Sequence, residues 1–361
     1  MTRIEAGLYR PPVKNCPVIA MAPLTPRSIL VYVGSHPDDA IGENLLKIPF
    51  IRSIRKTFPE ATLTWIPGYG PAQFQGVLKP LAEGLIDDHI TDLYLENRFS
   101  RLLRGNPLPG RHFDLIIDTQ TNMLRTLQLK MIPHRWFISR AWKWAISSRR
   151  PPAGPPLGRN IVERLNALVM AASGTVEEPP HGVELAPKWR EAAAWLLPAG
   201  PTYIGLAPGA GNKDKGKCWP LDNYLAVARD QLAKGRVPVF LPGPAEADWV
   251  GRMRAEAPGA LVPVFDHAER LDGLRGPTLD IALAGRLTAA VANCSGTGHM
   301  LALGGASMVS LFGPTNPVKY RPYALRVICL KTDDFGGGDM AVIPVSAVID
   351  AVDTHVQAGA A

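Results

Sequence analysis

The sequence predicts an α/β chain of two doubly wound domains. Three observations predict it: the length, an alternation of apolar runs with helix-period segments that runs once through each half, and glycine-containing loops that follow predicted strands. At 361 residues the chain exceeds one ordinary domain and suits two, each large enough to bury its own core. Strands that alternate with helices must cross over between strands. They therefore lie parallel, with helices on both faces of the sheet.

In the first half, Ile29 to Val33 reads as a buried strand, Ile41 to Phe58 as an amphipathic helix and Ala61 to Ile66 as a second strand. A helix from Pro71 to Leu85 and strands at Ile90 to Leu95 and Phe113 to Asp118 continue the series. The segment His134 to Arg150, HRWFISRAWKWAISSRR, reads as a basic amphipathic helix: Phe137, Ile138, Ala141, Trp142, Ala145 and Ile146 share one side, Ser139, Arg140, Lys143 and Ser147 the other. Prolines at 151, 152, 155 and 156 interrupt the rhythm, and a helix at Pro187 to Leu197 precedes a restart. The expected domains are 1–198 and 199–361. The second half repeats the pattern with strands at Tyr203 to Leu206, Val237 to Leu241, Ala289 to Ala292 and Met308 to Phe312. Helices are expected at Leu221 to Lys234, Ala245 to Glu256, Leu279 to Gly285, Gly298 to Leu303 and Pro344 to Val356.

Composition excludes several classes. No run approaches the roughly 20 apolar residues of a spanning helix, and Met1 to Lys14 lacks the apolar stretch of a secretory signal, so the cytoplasm is the expected location. Cys16, Cys218, Cys294 and Cys329 are far apart and form no CxxC pair, which argues against a zinc site or a disulfide framework. The charge is uneven. Of the net +7, Arg98 to Arg164 holds +10, from 13 Lys and Arg against Asp114, Asp118 and Glu163, and the remainder carries −3. Such a segment implies an anionic partner, whether glycolipid, membrane headgroups or nucleic acid. A tryptophan-bearing basic helix at 134–150 suits either an anionic membrane surface or a helix packed on the sheet with its basic face in water.

Three loops follow predicted strands, where open α/β sheets bind ligands: GSHPDDAIGE at 34–43, APGAGNKDKGKCWP at 207–220 and NCSGTGH at 293–299. In the last, Ser295, Gly296, Thr297 and Gly298 form either a phosphate cradle at a helix N-terminus or an ordinary capped turn. In the second, Lys213, Lys215 and Lys217 could face a leaving diphosphate, or simply be solvated. Neither loop fits GxxxxGK[ST], which disfavours a P-loop nucleotidase.

Three ordered motifs resemble glycosyltransferase family 9, the family of ADP-heptose:lipopolysaccharide heptosyltransferases. IGENLLKIPFIRSIRKTFPEA at 41–61 is similar to the family's first-helix motif, LAPGAGNKDKGKCWPLDNY at 206–224 to its PGA and Lys-x-Trp-Pro, and ANCSGTGHMLALGGASMVSLFGPTNP at 292–317 to its Asp-Ser-Gly-x-x-His segment and FGPT. The resemblance spans nearly the whole chain. It implies a GT-B fold of two Rossmann-like domains facing across a cleft, with sugar inversion, no cofactor and no bound metal. Glu43 stands where the family has an aspartate base. Lys217 would hold the donor phosphates and assist catalysis, Ser295, Gly296 and Thr297 would complete the phosphate site, and Glu246 would bind the ribose. Cys294 replaces an aspartate that contacts the sugar, and a thiol is a weak acceptor, so the sugar preference is expected to differ. His299 would touch the donor or support its loop. Asp38 and Asp39 suit a cap, with a rival role as base.

The N-terminal domain, which the family uses for its acceptor, would bind it through Arg140, Lys143, Arg149 and Arg150. The reading is a glycosyltransferase that moves heptose or a related sugar from a nucleotide diphosphate to a lipopolysaccharide core or similar anionic glycan, peripheral at the inner face of the cytoplasmic membrane. A non-catalytic sugar-nucleotide-binding homologue is the alternative, since Cys294 and Glu43 depart from the pattern. A basic nucleic-acid-binding protein lacks any recognisable module.

Overall fold

Parallel pairing governs both halves of the chain in the computed structural model, which describes residues 22–35, 41–69, 72–153, 158–211, 216–271 and 273–360. The first sheet contains β1 (Ser28–Ser35), β2 (Thr62–Gly68), β3 (Asp88–His89), β4 (Phe113–Asp118) and β5 (His134–Ser139) in the order β3-β2-β1-β4-β5. The second contains β6 (Tyr203–Ala207), β7 (Val237–Phe240), β8 (Ala289–Asn293), β9 (Ser307–Phe312) and β10 (Val327–Lys331) in the order β10-β9-β8-β6-β7. Every strand pair is parallel. Buried parallel strands read as unbroken apolar runs, and Ile29, Leu30, Val31 and Tyr32 of β1 are fully buried. Both orders reverse direction beside their first strand: between β1 and β4, and between β6 and β8. A doubly wound sheet opens a crevice at such a reversal, outside the carboxyl ends of the strands.

The chain divides into two compact units between Pro180 and His181. The helix Pro187–Leu196, which the sequence reading set ahead of a boundary at 198/199, belongs to the second unit: it buries Trp189, Ala193 and Leu196 and packs on the helix Pro277–Ala284. In the second unit Trp219 is fully buried, donates Nε1–H to the Ile343 carbonyl at 3.0 Å and meets Tyr224 edge to face. It anchors the end of the 207–220 loop between the helix Leu221–Ala233 and the segment before the helix Val345–Ala360. Lys234 reaches Asp353 of that terminal helix at 2.7 Å, and Arg236 pairs with the same carboxylate.

Several expected elements change form. The segment 134–150 is not a helix. Its first six residues are β5, in register with β4 from Phe113↔His134 to Asp118↔Ser139. Trp136, Phe137 and Ile138 favour a pleated strand, and a helix-period apolar pattern over so short a run cannot be distinguished from a buried strand by period alone. A 3₁₀ turn, Ala141–Trp144, follows, with Trp142, Lys143 and Trp144 at φ of 50°, 52° and 71°. The expected helix at 41–58 is two, Ile41–Leu45 and Ile48–Thr57, because Pro49 starts the second and cannot continue the first. Between 71 and 85 the only helix among the described residues is Lys79–Ala82, and the strand expected at 90–95 is the two-residue β3 just ahead of it. The segment 245–256 begins as a 3₁₀ helix, Pro244–Trp249, before the α-helix Val250–Glu256. The helices Met123–Lys130 and Ile161–Ser173, and β10, lie where the sequence predicts no element.

Asp118 closes β4 and is fully buried. Its carboxylate accepts from Thr126 Oγ1 at 2.6 Å, Ser139 Oγ at 3.0 Å and the Gln120 N–H at 2.9 Å, joining β4 to β5 and to the helix Met123–Lys130. Burial raises the carboxyl from 3.8 to about 6, against the lowering effect of those three donors. The folded value lies above the unfolded one, so the folded state holds this proton more tightly, and the residue's contribution to stability grows as pH falls through that range. Urea unfolding of the wild type and Asp118→Asn should show the wild type gaining on the variant between about pH 7 and about pH 4, by at most about 3 kcal/mol. A constant difference across that range would show the carboxyl titrating normally.

Candidate functional sites at the carboxyl edges of the two sheets

In the second unit the reversal lies between β6 and β8, and the loops that leave these strands are the two read as donor-binding. Asn293, the last residue of β8 and fully buried, ties them together. Its Nδ2 donates to the carbonyls of Pro208 and Gly209, at 2.7 and 3.4 Å, and its Oδ1 accepts the Trp219 N–H at 3.0 Å. The amide thus holds both ends of the 208–219 loop against the start of the 293–299 loop. Sequence reasoning passed over it; the available signal was a polar side chain closing the otherwise apolar run AAVAN.

Ser295 is the N-cap of the helix Gly296–Leu303 and accepts the Gly298 N–H at 3.4 Å, so its hydroxyl serves the cap. Gly298 allows a close passage: a Cβ there would stand 3.1 Å from the Asn293 carbonyl oxygen. Gly296 and Thr297 occupy the first turn, half-buried, at the end of the helix where N–H groups and the dipole favour an anion. Lys217 is half-buried on the facing loop. Cys294 follows Asn293 and donates its N–H to the Leu311 carbonyl at 2.9 Å. Burial raises its thiol, while the Thr315 hydroxyl and the Lys217 ammonium act to lower it, so Cys294, Thr315 and Lys217 share one neighbourhood. The thiol is protonated at neutral pH.

Glu246 is 2% exposed. Its carboxylate lies against Gly209 and Gly243, where a Cβ would come within 2.6 and 2.8 Å of it, and Oε1 has no hydrogen-bond partner among the described residues. A buried carboxylate oxygen without a donor is costly. It sits beside the loop at the reversal point, which is where a ligand would supply the donor. His299 is buried, its Nδ1 lacks a partner among the described residues, and burial lowers it to about 4, so the ring is neutral at physiological pH.

The first unit has a corresponding edge between β1 and β4. Gly34 and Gly68 pass closely there; a Cβ on Gly68 would be 2.7 Å from the Gly34 Cα. Gln120 fills the space over Gly34 and donates to the Val33 carbonyl. Glu43 lies in the first turn of Ile41–Leu45, exposed, one helical turn before Lys47, whose ammonium is 3.3 Å from Asn44 Oδ1 and 3.4 Å from Ser35 Oγ. Of the basic residues read as acceptor-binding, Arg140 is half-buried at the start of the 3₁₀ turn, Lys143 and Arg150 are exposed, and Arg149 donates to the Ala22 carbonyl at 2.5 Å. They leave the end of β5 as a turn and not as one helical face. Asp38, Asp39, Lys213 and Lys215 lie outside the described residues.

Removing the Asn293 amide leaves the Trp219 N–H and the Pro208 carbonyl without partners in a buried place. Asn293→Ala should therefore lower stability by roughly 2–4 kcal/mol, a loss built from unsatisfied buried groups. Thermal unfolding checks this, and a shift below about 1 °C would mean that the two loops hold themselves without it.

Comparison with known structures agrees with this architecture. The glycosyltransferase family 9 protein of Veillonella parvula DSM 2008 is 20% identical over 94% of this chain and 99% of its own, with a TM-score of 0.67. The E. coli ADP-heptose lps heptosyltransferase II is 17% identical over 92% and 100%, with a TM-score of 0.61. E. coli heptosyltransferase WaaC, in structures with ADP and with ADP-2-deoxy-2-fluoro heptose, is 15% identical over 91% and 99%, with TM-scores of 0.58 and 0.57. At these identities the likeness is one of fold, that of GT-B glycosyltransferases. No curated protein matches by sequence. The family model of glycosyltransferase family 9 (heptosyltransferase) matches residues 102–337, well over half of the chain. The chain is a glycosyltransferase and belongs to glycosyltransferase family 9.

Proposed function

We propose that the chain moves heptose or a closely related sugar from a nucleotide diphosphate to a lipopolysaccharide core or similar anionic glycan, with inversion and without a bound metal. The observation that carries the donor half is the partnerless carboxylate oxygen of buried Glu246 beside Gly209, which suits the hydroxyls of a ribose. The diphosphate would then meet the first turn of Gly296–Leu303, at Ser295, Gly296 and Thr297, together with Lys217. WaaC, similar in fold, is seen with ADP and with an ADP-heptose analogue, which supports a nucleotide of this kind.

In this reading Glu43 takes the proton of the acceptor hydroxyl as its oxygen bonds to the anomeric carbon, and the bond to the diphosphate breaks. The leaving charge falls on oxygens that Lys217 and the helix N-terminus stabilise. Arg140, Lys143, Arg149 and Arg150 belong to the acceptor side by charge. The setting at the inner face of the cytoplasmic membrane draws support from Phe99 and Leu103, 68% and 79% exposed in a 3₁₀ helix flanked by Arg98 and Arg104. No helix among the described residues is long and apolar enough to cross a membrane. His299, neutral and buried, would touch the donor or support its loop.

Turnover with a nucleotide-heptose donor tests the chemistry. Glu43→Gln should lower kcat by about 10²–10⁴-fold with donor affinity little changed, and Lys217→Ala should damage both kcat and donor binding, since its charge acts in the ground state and more strongly as the diphosphate leaves. Chelator should leave the wild-type rate unaltered. Near-normal turnover by Glu43→Gln would remove it as base.

Cys294 favours a second reading, in which the chain binds a sugar nucleotide without transferring it, because a protonated thiol stands where the family pattern has a sugar-contacting aspartate. Cys294→Asp separates the two. It should shift donor preference toward heptose in an active wild type, measured as kcat/KM across a panel of nucleotide sugars. A wild type that binds donors and turns over none would establish the second reading.

A further inference from the structure

Arg125 is placed where an arginine is least expected. It lies in the first turn of the helix Met123–Lys130, directly after β4, and donates its backbone N–H to the Asn122 cap at 3.2 Å. The N-terminal end of a helix disfavours a cation. Nor does a carboxylate compensate it. Among the described residues no hydrogen bond or ion pair reaches its guanidinium, and Nε is buried without a partner. The nearby acids are engaged elsewhere: Asp118 accepts from Thr126, Ser139 and Gln120, and Glu96 pairs with Arg101 and Arg98.

What Arg125 does meet is aromatic. Its guanidinium carbon is 5.8 Å from the ring centre of Tyr69, the residue that follows β2. Tyr69 in turn packs on Tyr94 with centroids 4.9 Å apart and planes inclined by 32°, and Tyr94 is half exposed. Tyr32 of β1 belongs to the same group: burial pushes its hydroxyl up to about 12, and the Arg125 charge acts to lower it. The group therefore stands at the carboxyl edge of the first sheet, beside the reversal between β1 and β4.

We propose that Arg125, Tyr69 and Tyr94 form a subsite for a negatively charged sugar, in which the guanidinium takes a phosphate or carboxylate and the exposed tyrosine offers its face to the ring. A guanidinium matches the planar or forked geometry of both anions. An apolar sugar face packs on an aromatic ring without needing a partner for every hydroxyl. The proposal rests on the reading of the acceptor as an anionic glycan, and it names the atoms that meet its charge.

Calorimetric titration of the full chain with glucose 6-phosphate, glucuronate, inorganic phosphate and glucose tests it. Glucose 6-phosphate or glucuronate should bind, and whichever does identifies the anion as phosphate or carboxylate; glucose should not. Arg125→Gln should weaken that binding by roughly 10-fold or more, Arg125→Lys should weaken it less, and Tyr94→Ala should weaken it with the arginine intact. Unchanged binding in a folded Arg125→Gln protein, or no binding of either charged sugar by the wild type, overturns the proposal. So does inorganic phosphate binding as tightly as the sugar phosphate with Tyr94→Ala silent, which would leave an anion site that reads no sugar. The readout is binding, so a wild type that transfers no sugar would refute the proposed function while leaving this result standing.

Discussion

Parallel pairing is the constraint on which the rest depends. A strand that must lie parallel to its neighbour cannot return by a hairpin, so each connection crosses over and delivers the next strand in the same direction. All carboxyl ends then gather at one edge of each sheet. Loops there are released from the ladder and can carry polar residues that the apolar strands cannot. In the second unit this brings the ends of β6 and β8 side by side, and the buried Asn293 amide ties the end of β8 to Pro208 and Trp219 at the two ends of the neighbouring loop. In the first unit Asp118 acts similarly at the end of β4, with three donors on its carboxylate.

The two tethers differ in what they cost. Asn293 is neutral and places both ends of its amide, so its burial is compensated without a charge. Asp118 also satisfies its oxygens, but burial still raises its carboxyl to about 6: three neutral donors do not fully replace water around an ion. Glu246 is different again, because one of its buried oxygens has no donor among the described residues. Two glycines, Gly209 and Gly243, leave room for that carboxylate. A side chain at either position would displace it, so the backbone has been shaped around an unsatisfied acceptor, the arrangement expected where a ligand supplies the missing hydrogen bond.

Much of the fold was legible because its signals are local. The run at 29–33 is apolar without interruption, those at 113–118 and 308–312 are mostly so, broken by Asp114, Asp118 and Ser310, and each is a strand within a residue or two of where it is expected. The segment 134–150 misled for a physical reason. Arg and Lys at helix-like spacing made one face basic, yet Phe137 and Ile138 are adjacent and both buried at the end of β5, which pairs with β4. Pairing between residues some twenty positions apart is invisible to a local period. The same limit explains the site. Glycine-rich loops and Lys217 carry a motif, whereas Asn293 matters through bonds to Pro208 and Trp219, far along the chain, and Arg125 is conspicuous only once the acids near it are seen to be engaged elsewhere.

Charge placement gives the two units different chemical characters. The first holds the chain's positive excess, but it is not uniform: Arg101 and Arg98 are matched by Glu96, Arg55 by Asp87 and Arg111 by Asp88, and these pairs lower the field that a distant anion would feel. Exposed pairs of this kind contribute little to stability, yet they decide which cations are left uncompensated. In the second unit Cys294 is kept neutral by burial although Lys217 is close by. An aspartate at that position would put a negative charge beside the lysine and pair with it. The protonated thiol forms no such pair, so the Lys217 charge is not neutralised from that position.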